Sequence, residues 1–203
     1  MRYNARQCPF DNEQHSCKQK NRGESRDMRN EPARDASSET ARKPVISATV
    51  PDWSREEVRQ FWDPGYKLLR AVRRYQQAKA RADLVGWVLS KYWVIVHWFW
   101  SVITQSEIHL GTQIEGGLRL PHPTGVIIHP NARIGPNCLI FHQVTLTSSV
   151  VLGGHVDIGA GAKLIGPLTI GDHVEVGANS VVTKDVEGGT TVAGVPAKVL
   201  ATR

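Results

Sequence analysis

Large aliphatic side chains recur at every sixth position through the C-terminal half of the chain. Ile128, Ile134, Ile140, Leu146, Leu152, Ile158, Leu164, Ile170, Val176 and Val182 hold one register. Four places after each stands a residue that is mostly small or β-branched, from Ala132, Cys138 and Val144 to Val174, Ser180 and Val186. Glycine follows the aliphatic at Gly135, Gly153, Gly159, Gly171 and Gly177. A period of six fits neither a helix at 3.6 nor a free strand at 2. It fits a solenoid whose coil is a triangle with one hexad per side, the leading aliphatic inward and glycines helping at the corners.

A second register, Ile108, Ile114, Leu120 and Val126, precedes the first, and two extra residues separate them. The break falls around Pro121-His122-Pro123-Thr124-Gly125-Val126. Irregular backbone on a rigid scaffold is where side chains are presented for chemistry. Upstream the pattern turns helical. Ser54 followed by Glu56 and Glu57 predicts an N-cap, Pro64-Gly65 predicts a break, and Leu68, Leu69, Val72 and Tyr75 predict a helix over about Tyr66 to Ala80. Leu84 to Ile103 is long enough for a bilayer. Lys91 and His97 lie within it, and its tryptophans are scattered rather than grouped at the ends. A buried helix capping the open end of the solenoid is the favoured reading. Membrane-surface contact and a true span remain as alternatives. Residues 1–45 show neither period and read as disordered or as an extension, 46–105 as an α-helical segment, and 106–203 as the solenoid.

The hexads, the break Leu120-Pro-His-Pro-Thr-Gly-Val-Ile-Ile128, the run Ile158-Gly-Ala-Gly-Ala-Lys163 and the closing Gly194-Val-Pro-Ala-Lys198 resemble the hexapeptide-repeat acyltransferases, and within them the serine O-acetyltransferases. The resemblance implies a mainly β fold, a left-handed parallel β-helix preceded by a short α-helical segment. It also implies a homotrimer, with acetyl-CoA lying along the coils between subunits. His122 matches the family's catalytic histidine, and Glu107 in Glu107-Ile108-His109 stands where the family has its partner aspartate. Ala160 and Ala178 match the alanines that contact CoA, with Lys163 and Lys198 as candidates for its phosphates. The chemistry suits those residue types. An imidazole near neutrality can take a proton from a hydroxyl and return it to the leaving thiolate, and a carboxylate on its other nitrogen stabilises the imidazolium. Cys138 sits at an inward hexad position and reads as core, so no acyl-enzyme is needed.

Three departures bear on the acceptor. Pro121 replaces the aspartate that precedes the histidine in those enzymes. Val144 to Leu152 runs on without the substrate-contacting loop, and the N-terminal helical domain is reduced. The principal expectation is acetyl transfer to L-serine in cysteine biosynthesis. A sugar or exopolysaccharide-precursor acceptor is the alternative, and a non-catalytic β-helical scaffold the third reading. The C-terminal Ala201-Thr202-Arg203 lacks the isoleucine carboxylate used for docking with the next enzyme, so no such complex is expected.

The net charge is +6, with Lys and Arg crowded into 18–43 and 55–81. Acetyl-CoA is a polyanion, so that balance calls for no nucleic-acid partner. The three cysteines are odd in number, which fits a reducing cytoplasm. Cys8, His15 and Cys17 match no standard ligand spacing, and no metal is expected.

Overall fold

Inward aliphatics and corner glycines wind the chain into parallel coils. A computed structural model describes residues 46–57 and 61–202. The expectations for residues 1–45, including Cys8, His15 and Cys17, lie outside the described residues. The solenoid is a left-handed parallel β-helix preceded by helices. Its first face stacks β1 (Glu107–Ile108), β3 (Ile127–Ile128), β6 (Thr145–Leu146), β9 (Lys163–Leu164) and β12 (Val181–Val182). The second stacks β2 (Gln113–Ile114), β4 (Arg133–Ile134), β7 (Val150–Leu152) and β10 (Leu168–Ile170). The third carries β5 (Leu139–Ile140), β8 (Asp157–Ile158), β11 (Glu175–Val176), β13 (Thr190–Gly194) and β14 (Ala197–Thr202). All pairings are parallel except β13 with β14, which form a closing hairpin.

Each two-residue strand points one side chain out and one in, as the pleat requires. The inward set is the hexad register: Ile128, Ile140, Leu146, Ile158 and Leu164 are buried, and so are the fourth-place residues Cys138, Val144, Val156 and Ala162. Corners demand a left-handed backbone. Gly125, Gln143, Gly161 and Asn179, eighteen apart, all have positive φ at one corner. At Gly161, with φ of 74°, an added Cβ would also come 2.1 Å from Asn179 Oδ1.

The helical segment differs in detail from the sequence reading. A short 3-10 turn spans Trp53–Glu56 and is capped by Asp52, not by Ser54. Pro64 and Gly65, expected as a break before a helix from about Tyr66, are the first two residues of α1 (Pro64–Ala80), with Asp63 as N-cap. Proline suits a first helical position, where its missing N–H has no partner to lose. α2 (Leu84–Thr104) follows from its cap Asp83. α1 is clipped to the first coil by Arg73, which pairs with Glu56 at 2.9 Å, while Glu56 accepts from Gly117 N at 2.8 Å. α2 meets the first coil through His97 Nε2, 2.8 Å from Ile108 O. Burial lowers the His97 pKa, so the neutral ring donates there. The expected buried cap is only half realised: most large apolar side chains of α2 point away from the protein.

Candidate active site

Strand pairing locates the two inserted residues. Glu107 pairs with Ile127, twenty residues on, whereas Ile127, Thr145, Lys163 and Val181 follow at eighteen. Arg119 bridges to Leu139, and Gln143 N donates to Thr124 O at 2.9 Å. The excess therefore lies among Pro121, His122 and Pro123. His122 stands on a bulge, exposed, at the corner between the third and first faces.

The bulge is held on both sides. Gly65 of α1 packs so closely on Leu120 that a Cβ there would lie 2.3 Å from Leu120 O. Gly125 N donates to Thr104 O at the end of α2, and Ser106 Oγ donates to Pro123 O. A side chain on a loop anchored this way has a fixed base from which to act.

Below the bulge the same corner forms a ladder. Gly161 N donates to His142 O at 2.9 Å and Asn179 N to Ala160 O at 2.8 Å. Thr124, His142, Ala160 and Ala178 are thereby stacked on one edge over roughly 14 Å, three coil spacings. The His122 and His142 rings meet edge to face with centroids 6.3 Å apart. The place of His142 eighteen after Thr124, the end of the bulge, is the signal that puts it under His122.

The other candidates fall around this edge. Glu107 is exposed on the first face, and among the described residues no hydrogen bond or ion pair joins its carboxylate to His122. Lys163 stands on the same face two strands beyond Ile127. Its Nζ reaches Gln143 O at 2.5 Å and Thr145 Oγ1 at 3.1 Å, beside the corner. Ala160 is half-buried and Ala178 exposed. Lys198 is exposed on β14 opposite Ala193, lining a cleft of about 670 Å³ with Val182–Glu187 and Pro196. Gly194 N, at the end of β13, donates to Ser180 Oγ, so the hairpin starts where the corner ladder ends. Cys138 is fully buried with its thiol pushed up to about 12 by desolvation, and is no nucleophile. Between β6 and β7 the chain turns through Thr147, Ser148 and Ser149 with no extruded loop. Among the described residues no cluster of three or more His, Cys, Asp or Glu side chains has the arrangement of a metal site.

A solenoid of hexads with one histidine bulge above a column of small corner residues is similar to the left-handed β-helices of serine acetyltransferases. Comparison with known proteins agrees. The chain is 33% identical over 129 residues to the serine acetyltransferase of Mycobacterium tuberculosis, covering 52% of this chain and 56% of the relative. It is 41% identical over 106 residues to that of Helicobacter pylori strain J99, covering 48% and 62%. Among solved structures, the serine acetyltransferase of Brucella abortus in complex with coenzyme A superposes with a TM-score of 0.59 at 30% identity, covering 68% of this chain and 56% of the other. The chain spans little more than half the length of these relatives. No family model matches it.

Proposed function

We propose that this chain is an acetyl-CoA-dependent O-acetyltransferase acting on L-serine. The observation that carries the reading is the bulge that lifts His122 over His142 and the Ala160–Ala178 edge. One nitrogen of His122 takes the proton of the serine hydroxyl as that oxygen attacks the thioester carbonyl. The tetrahedral intermediate collapses, the C–S bond breaks, and the imidazolium returns its proton to the CoA sulfur, leaving O-acetylserine and CoA. Glu107 is the carboxylate assigned to stabilise the imidazolium. The pantetheine arm lies along Ala160 and Ala178, where small side chains let it approach the backbone, with Lys163 and Lys198 toward the phosphates. A cleft between subunits of a cytoplasmic homotrimer completes the site.

A sugar hydroxyl is the second acceptor considered. Pro121 and the uninterrupted turn at Thr147–Ser149 favour it, because both occupy places where the resembling enzymes contact serine. The test is acceptor-dependent release of CoA thiol by the purified full chain, with L-serine against a panel of sugars. Release with serine upholds the proposal, release with a sugar alone replaces the acceptor, and no release with any acceptor overturns both.

A further inference from the structure

α2 is built inside out. The stripe that meets α1 and the first coil runs through Gly86, Ser90, Trp93, His97, Trp100 and Thr104. Most of these are small or hydrogen-bonding: Ser90 Oγ donates to Trp87 O, and Thr104 Oγ1 donates to Trp100 O. The opposite stripe, Leu84, Val88, Ile95, Phe99 and Val102, faces outward, with Leu84 76% and Ile95 65% exposed. An ordinary surface helix has the reverse arrangement. An apolar face about 27 Å long marks an interaction site.

Charge identifies the occupant. Residues 64–104 contain Lys67, Arg70, Arg73, Arg74, Lys79, Arg81 and Lys91 but only one acid, Asp83. Arg73 is taken by Glu56, and Arg81 by Asp83. Arg70 and Arg74 are exposed and line a groove between the helices with Leu89 and Trp93. A basic row beside an apolar face whose one charge is Lys91 fits a surface that is anionic outside and apolar beneath. A second copy docked here about a two-fold axis would set basic rows against each other. The aromatic residues agree. Phe61 and Trp62 flank Lys67 with its Nζ 5.0 and 5.7 Å from the ring centroids, and Trp87, Tyr92 and Trp98 edge the apolar face. Tryptophan and tyrosine are favoured at the headgroup level of a bilayer. Lys91 interrupts the outward face, its Nζ 5.9 Å from the Trp87 ring. Its long stem allows the amine to reach water from a helix lying in the interface. Among the described residues no helix is long and apolar enough to cross a membrane.

We propose that α2 lies in the plane of an anionic lipid surface, its Leu84–Val102 face in the acyl boundary and Arg70 and Arg74 on lipid phosphates. The end of α2 is bonded to the bulge through Thr104 and Gly125. Docking therefore holds the His122 corner beside the membrane–water boundary.

The test is co-sedimentation of the full chain with phosphatidylcholine vesicles and with vesicles containing phosphatidylglycerol. The expected result is binding to the phosphatidylglycerol vesicles alone, reversed by added salt. It should weaken about tenfold or more in an Arg70→Gln/Arg74→Gln double variant. Ile95→Glu should abolish it while leaving acetyl-CoA binding and the mass in solution unchanged. Absence of wild-type binding, equal binding to both vesicles, or retention by Ile95→Glu overturns the proposal. A fall in the oligomeric mass of Ile95→Glu, with no vesicle binding by wild type, assigns the face to a second copy.

Discussion

His122 is the residue on which the chemical reading turns, and its place was legible because two extra residues interrupt an otherwise regular count of six. The prolines on either side and the bulge they form give it an exposed place that a buried hexad position never has. His122→Ala is expected to lower turnover about 10²–10⁴-fold with acetyl-CoA affinity nearly unchanged, since a general base acts in the transition state; steady-state kinetics checks both. Cys138 offers a contrast. Its thiol, raised from 9.0 to about 12 by burial, stays protonated in the folded chain. Native protein at pH 8 should leave Cys138 unlabelled by iodoacetamide, and mass spectrometry of the peptide checks this. The sign of the linkage follows. The unfolded chain loses the proton first as pH rises, so stability is full below about 9 and falls from there toward 12. What single residues did not disclose was the partnership of His142 with His122. The two rings meet where the inserted residues bulge out of the coil.

The strands and corners were readable because their period of six is imposed by the geometry of a triangular coil, and each hexad repeats the same demand. Leu146, fully buried between coils, tests it: Leu146→Ala is expected to cost about 2–5 kcal/mol by urea unfolding, and Thr145→Ala beside it much less. The helices were less legible. Pro64 was read as ending the preceding short helix, and it is also the first residue of α1, where its missing N–H costs no helical bond. The length and apolarity of α2 were evident, but which side faces inward depends on where α1 crosses it. Gly86 sets that crossing, since a Cβ there would lie 2.7 Å from Ala78 O. His97 makes the seat of α2 pH-dependent. Burial depresses its pKa, so the unfolded chain binds the proton first as pH falls. Stability from this group is present above the ordinary histidine value and lost as pH drops through the folded one. His97→Gln should flatten the acid limb of the Tm-against-pH curve measured by calorimetry.

At the scale of the whole molecule, the arrangement separates two tasks. The solenoid corner from His122 to Ala178 is the edge proposed for a thioester cosubstrate, and the helices brace its upper end while presenting an apolar face of their own. The corner positions of Ala160 and Ala178 were legible because they recur with the coil, whereas excursions from the coil follow no period. The Thr147–Ser149 turn runs without an extruded loop. In the proposed homotrimer, light scattering should report three times the chain mass, and Ala178→Arg should weaken acetyl-CoA binding while leaving that mass unchanged. The central claim is most directly tested by measuring O-acetylserine by mass spectrometry after incubating acetyl-CoA and L-serine with wild type and with His122→Ala. Product is expected from wild type and almost none from the variant at equal acetyl-CoA occupancy. Equal product from both, or none from wild type with acetyl-CoA bound, would contradict that claim.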